Sequence, residues 1–163
     1  MIRVKFLVIL ILTFFIAQYL SSTAYSIGLY AFVTLPGTFL HELAHYMSAL
    51  FLGGLPSNFN LIPSGNTLGS VRFHPNWYNA ASVAMAPFLL APLTFLVAAL
   101  GARAVNPFKT LFFSYLAACS WVASTPSPQD FQIAMVPASW PLAFFLLIGT
   151  TYLIYKTTRI LVK

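Results

Sequence analysis

The chain has 163 residues, 60% of them apolar and 6% charged, where an ordinary soluble domain is about 45 to 50% apolar and about 25% charged. A water-soluble globule is the poorest fit to those proportions. Eight Lys and Arg against two acids give a formal charge of +6, and the cations stand near the chain ends and loops rather than in one patch, which favours anionic lipid headgroups over nucleic acid.

A bilayer core takes about 20 mostly apolar residues per helix, and five segments meet that requirement. The first runs from about Val4 to Leu20, with Arg3 and Lys5 at its start. A basic start followed by Ser22-Thr23-Ala24 is also the pattern of a signal peptide with a small-residue cleavage site; the segment is read as a retained helix. The second runs from about Ser26 to Leu52, longer than one crossing requires, and Pro36-Gly37 predicts a kink or short unwound turn within it. Gly53 to Asn79 follows, where Asn58 to Phe73 alternates loosely around Pro63-Ser64-Gly65-Asn66 and predicts a short hairpin at the membrane surface.

The third segment is about Ala80 to Ala102 and the fourth about Pro107 to Ser124. The fourth carries the single cysteine, Cys119, which can form no internal disulfide and reads as packing in its Leu-Ala-Ala-Cys-Ser setting. Thr125-Pro126-Ser127-Pro128-Gln129-Asp130 then interrupts the pattern, and the apolar stretch after it is too short to span, so residues 125–130 are expected to be partly unwound or re-entrant. The fifth segment is about Trp140 to Tyr155, with Lys156, Arg159 and Lys163 beyond it. Five alternating crossings put Arg3, Lys5 and Arg72 on one side and Arg103, Lys109, Lys156, Arg159 and Lys163 on the other, which leans toward a cytoplasmic C-terminus. With no internal repeat and no soluble domain, the expectation is one all-α, multi-pass integral membrane unit over residues 1–163.

Segment two carries His41-Glu42-Leu43-Ala44-His45, where two histidines and an acid come together. This is the His-Glu-x-x-His zinc signature. At about 100° per residue the two histidines fall about 40° apart on one helix face, so one ion can touch both imidazoles. Catalytic zinc takes three protein ligands plus a water, and Glu42 sits beside that water as general base. Glu42 and Asp130 are the only acids in the chain, and each costs about 2.5 to 3.5 kcal/mol at the centre of a membrane helix. A divalent cation offsets that cost for both; the plainer reading is a self-paired polar cluster bridging two helices.

For the third ligand the candidates are Asp130 and His74, since no glutamate exists besides Glu42 and positions 48 and 51 are Ser and Phe. His74 stands in Arg72-Phe73-His74-Pro75-Asn76-Trp77, a composition suited to the headgroup region, and reads as interfacial. Asp130 also fits a helix start, with Ser127 as N-cap, Pro128 at N1 and Asp130 at N3. Capping and ligation are compatible, because a helix N-terminus favours a carboxylate, and Asp130 is the favoured third ligand. Thr38, Ser48, Ser127 and Gln129 are the nearest polar residues to line a path for water.

These residues resemble the site-2 protease family of intramembrane zinc metallopeptidases. The resemblance implies a core of three transmembrane helices, with the His-Glu-x-x-His motif on one and an aspartate on a later, partly unwound one completing the zinc site. His41, Glu42 and His45 match the first motif. Asp130, after Pro126 and Pro128, matches the second in position and setting, although Gln129 and Phe131 stand where the best-known form has Leu and Gly. The likeness covers segments two through four and the stretch to about Val136, as in a small divergent member without a PDZ-like or cystathionine-synthase-like domain. Leu35-Pro36-Gly37-Thr38 and Asn66-Thr67-Leu68-Gly69-Ser70-Val71 resemble the family's kinked entry and membrane-associated strand region.

The implied activity is hydrolysis of peptide bonds in transmembrane or membrane-associated protein substrates, with zinc on His41, His45 and Asp130 and with Glu42 as general base. By the same analogy, the hairpin adds an edge to an extended substrate. The alternative is a metal-binding or substrate-holding membrane protein without catalysis, a carrier or degenerate protease. Glu42 speaks against it, because storage and transport need ligands but no base.

Overall fold

The structure, a computed structural model, describes residues 2–22, 27–63 and 67–163. Thr23 and Ala24 of the cleavage-like sequence, and Ser64 to Asn66 of the expected hairpin turn, lie outside the described residues. In chain order the elements are α1 (Ile2–Ser22), α2 (Ile27–Val33), α3 (Leu35–Phe51), β1 (Ser57–Asn60), β2 (Ser70–Arg72), α4 (Ala80–Ala84), α5 (Leu90–Arg103), α6 (Pro107–Val122), α7 (Pro128–Ala134) and α8 (Trp140–Val162). Short 3-10 turns, Ala86–Leu89 and Pro137–Ser139, lead into α5 and α8.

Among the described residues three helical stretches are long and apolar enough to cross a membrane: Ile2–Ser22, Ala86–Arg103 and Pro137–Val162. The sequence alone reads five. The difference is length, since α3 has 17 residues and α6 has 16. Large apolar side chains such as Phe15, Phe145 and Ile148 stand exposed on the outer faces of α1 and α8, surfaces that suit lipid tails better than water. Between helices the contacts are made by small residues: Ala98, Ala102 and Ala117 pack around Ile9, and Ala118 and Cys119 around Ala17 and Leu20. Small side chains let helix backbones approach closely, and the buried Cys119 has the packing role expected of it.

The expected interruption of segment two falls at Thr34, whose hydroxyl donates to the Tyr30 carbonyl at 2.6 Å. Pro36, in the first turn of α3, has no N–H to return to the carbonyl four residues earlier. Gly37 is needed for another reason: a β-carbon there would lie 2.6 Å from the Cys119 carbonyl oxygen, so glycine sets how closely α3 lies on α6. At the other end of α3, Gly53 has φ +68° and the Gly54 N–H returns to the Ala49 carbonyl at 2.7 Å, the Schellman pattern that ends a helix at a left-handed residue.

The chain then forms the expected hairpin, with β1 antiparallel to β2. Phe59 of β1 stands edge-on to Phe39 and Tyr46 of α3, each pair of ring centroids 5.9 Å apart, which holds the hairpin along that helix.

Two expectations are corrected in the second half. Segment three is divided into α4, a 3-10 turn and α5, because Pro87 has no N–H for the Val83 carbonyl four residues before it. The non-helical stretch is 123–127, and Asp130 already lies in the first turn of α7, where Ser127 and Asp130 form a capping box that starts the helix early.

A third correction concerns direction. Val33, Gly37 and His41 meet Tyr115, Cys119 and Ala123 in turn, so α3 runs parallel to α6. So does α1, whose Thr13 hydroxyl donates to the Ser114 carbonyl at 3.4 Å while Ala17 and Leu20, further along, cluster with Ala118 and Cys119. In contrast, α5 and α8 both run the other way and end together, where Arg103 Nε donates to the Leu161 carbonyl at 2.8 Å. The directions therefore do not alternate. Arg3 and Lys5 at the start of α1 share one end of the molecule with Arg103, Lys109, Lys156, Arg159 and Lys163, instead of facing them across it.

Candidate metal centre

His41 and His45 stand one turn apart on α3, their rings edge to face with centroids 4.9 Å apart. Each ring is held from behind. His41 Nδ1 lies 2.8 Å from the Ala123 carbonyl oxygen and His45 Nδ1 lies 2.9 Å from that of Val83. A carbonyl can only accept, so each Nδ1 carries the hydrogen and donates, and each neutral ring presents a bare Nε2.

Both acceptors are carbonyls that lack the usual helical donor four residues on. Ala123 follows the last residue of α6, and the N–H four residues on, that of Ser127, donates instead to Asp130 Oδ2 at 2.7 Å. Val83 loses its helical donor to Pro87. The breaks in α4 and α6 thus supply the acceptors that fix the tautomers of both histidines.

The two Nε2 atoms face each other at 3.2 Å. Two bare nitrogens cannot hydrogen-bond to one another; either a second proton makes one ring an imidazolium, or a cation sits between them. Asp130 completes the group, with Oδ1 3.3 Å from His45 Nε2 and Oδ2 3.7 Å from His41 Nε2. One ligand atom from each of the three residues lies within 4.8 Å of the others, so His41, His45 and Asp130 form a group that can hold a metal ion. The cap and the ligand are the same carboxylate: Oδ2 takes the Ser127 N–H, while the Asp130 N–H donates to Ser127 Oγ at 3.2 Å.

Glu42 is buried and lines, with the three ligand candidates, a cavity of about 460 Å³. Across that cavity is β2, with Ser70, Val71 and Arg72 on its wall. The tightest approach is at Gly69, where a β-carbon would lie 2.8 Å from Glu42 Cγ. Only glycine lets the strand region come down onto the carboxylate in this way. The sequence places Gly69 in the Asn66 to Val71 stretch of the expected hairpin; its place beside a buried acid is a long-range fact.

Of the polar residues expected along a water path, Thr38, Ser127 and Gln129 line the cavity, whereas Ser48 is not among its lining residues. His74 is exposed and belongs neither to the cavity wall nor to the ligand group. Its backbone N–H closes the base of the hairpin on the Gly54 carbonyl at 2.7 Å. No protein-family model, no curated protein and no solved structure matches this chain.

Proposed function

We propose that the protein is a membrane-embedded zinc metalloprotease that hydrolyses peptide bonds of transmembrane or membrane-associated protein substrates. The observation that carries this reading is the pair of His Nε2 atoms facing each other at 3.2 Å with both Nδ1 atoms already committed to carbonyls. With the Asp130 carboxylate, this is the three-ligand complement of catalytic zinc, which keeps a fourth position open. A second carboxylate, Glu42, lines the same cavity without belonging to the ligand group.

Bound at this group, zinc supplies the Lewis acidity that polarises a peptide carbonyl and acidifies a water. The carboxylate of Glu42 takes the proton as the water oxygen attacks the carbonyl carbon. It then returns that proton to the amine nitrogen as the C–N bond breaks. His41 and His45 keep their Nε2 atoms in place through their Nδ1 anchors, and the Ser127 cap does the same for Asp130. A helical substrate has its carbonyls tied within the helix, so it must unwind to react. The wall formed by β2 offers an extended segment an edge with which to pair.

Zinc per chain, read by elemental mass spectrometry on detergent-purified protein, tests the base of this proposal. Wild type should carry about one zinc, and His41→Ala and Asp130→Ala should lose it. Glu42→Ala should keep the metal yet fail to cut single-span model peptides in liposomes that wild type cuts. Wild type without zinc after reconstitution would sink the proposal, as would a Glu42→Ala variant that still cleaves.

A further inference from the structure

At the end of the molecule away from the metal centre, a cavity of about 780 Å³ opens between α5 and α8 beside the start of α1. Its walls are apolar for most of their length, with Phe6, Pro92, Phe95 and Val162 among them, and its rim carries Arg3, Arg159 and Lys163. The chain has two acidic side chains, and both lie at the metal centre, so no carboxylate side chain offsets these three cations. The surrounding end is basic as well, through Lys5, Arg103, Lys109 and Lys156.

The groove wall also includes a buried side chain whose hydroxyl is unmet. Thr158 lines it, is only 9% exposed, and its hydroxyl has no hydrogen-bond partner among the described residues. Its neighbours on α8 behave otherwise: Thr150 and Thr157 donate back to the carbonyls of Leu146 and Leu153. Along α8 the lining runs from Thr151 to Val162, about 17 Å at the helical rise per residue, close to one leaflet of a hydrocarbon core about 30 Å thick.

We propose that this groove is a binding site for one anionic phospholipid, with the headgroup phosphate among Arg3, Arg159 and Lys163 and an acyl chain laid along Phe95 and Tyr155. A cationic rim on a leaflet-long apolar groove is complementary to an amphiphile with an anionic head, and basic pockets between membrane helices recognise such headgroups. A zwitterionic lipid brings its own cation to a rim that is already positive. A soluble phosphate ester leaves the apolar walls uncovered. The site is independent of the metal centre and of the chemistry proposed there.

The test is native mass spectrometry of full-length delipidated protein, titrated in neutral detergent with dioleoyl phosphatidylglycerol or dioleoyl phosphatidylcholine. One phosphatidylglycerol per chain should be retained in preference to phosphatidylcholine. Arg159→Ala and Lys163→Ala should each cut that preference about fivefold, the effect of one basic residue at an anionic surface. Arg72→Ala, at the opposite end, should leave it unchanged, and the charge-preserving Arg159→Lys should retain most of it. Equal binding of the two lipids would overturn the proposal, as would an Arg3, Arg159 and Lys163 triple alanine variant with the wild-type preference. Displacement by glycerol 3-phosphate as effective as displacement by the intact lipid would overturn the acyl-chain groove.

Discussion

Gly69 stands where no larger residue fits beside Glu42: its β-carbon would lie 2.8 Å from Cγ and 3.0 Å from Oε1 of the carboxylate, and 3.1 Å from the Asn60 carbonyl oxygen. The strand region and the candidate base therefore hold each other in register.

Gly69→Ala forces either Glu42 or the strand to move, since contacts under 3.0 Å are not sustained. A misplacement on the order of 1 Å costs about a hundredfold in rate. Turnover of a liposome-reconstituted peptide should fall by about that factor while zinc content, read by elemental analysis, stays at wild-type level. Undiminished turnover would show that Gly69 does not seat the base.

Ser127→Ala removes the side chain that accepts the Asp130 N–H and should cost about 1 kcal/mol of stability, as loss of an N-cap does. The Ser127 N–H that holds Oδ2 remains, so zinc affinity should fall only through fraying of the first turn of α7, by less than the about 10 to 100-fold that follows loss of a ligand's own partner. Competition against a chromogenic chelator reads the affinity. Ser127→Thr keeps a capping hydroxyl and should restore most of it.

Gly37→Ala pushes α3 away from α6, because the added carbon meets the Cys119 carbonyl at 2.6 Å and Ala123 Cβ at 3.1 Å. Overpacking of this kind costs about 1 to 3 kcal/mol, and here it also stretches the bond between His41 and Ala123. Thermal unfolding in detergent should shift down and zinc occupancy should drop. Gly149→Ala on α8, with nothing among the described residues within 4 Å of its β-carbon, is the matched control and should leave both unchanged or slightly raise stability.

His74→Ala should leave zinc content at the wild-type level, since His74 is exposed and outside the ligand group. Loss of zinc in this variant would overturn the assignment of Asp130 as third ligand.

Much of the candidate site is legible in the sequence because its determinants are local. Residues four apart share a helix face, so His41 and His45 converge whatever surrounds them. The Ser127 cap with Asp130 at its third position is likewise a matter of three residues, and it starts α7 where the capping pattern requires. The apolar stretches long enough to cross a membrane are legible from composition, which sets what each helix surface can face. Lengths are less legible, since Pro87 divides a stretch that reads as one continuous hydrophobic run, whereas the break in segment two is announced by Pro36-Gly37.

What only the tertiary structure decides are the relationships that span the chain. His41 reaches a carbonyl 82 residues away and His45 one 38 residues away. A sequence shows that proline or a helix end frees a carbonyl; which imidazole takes it depends on how closely the helices approach, which Gly37 and the alanine contacts set. Gly69 meets Glu42 only because Phe59 anchors the hairpin on α3. The gathering of cations at one end rests on α1 running parallel to α6 and on α5 and α8 running the other way. Periodicity carries no information on direction, because a helix shows the same faces whichever way it points.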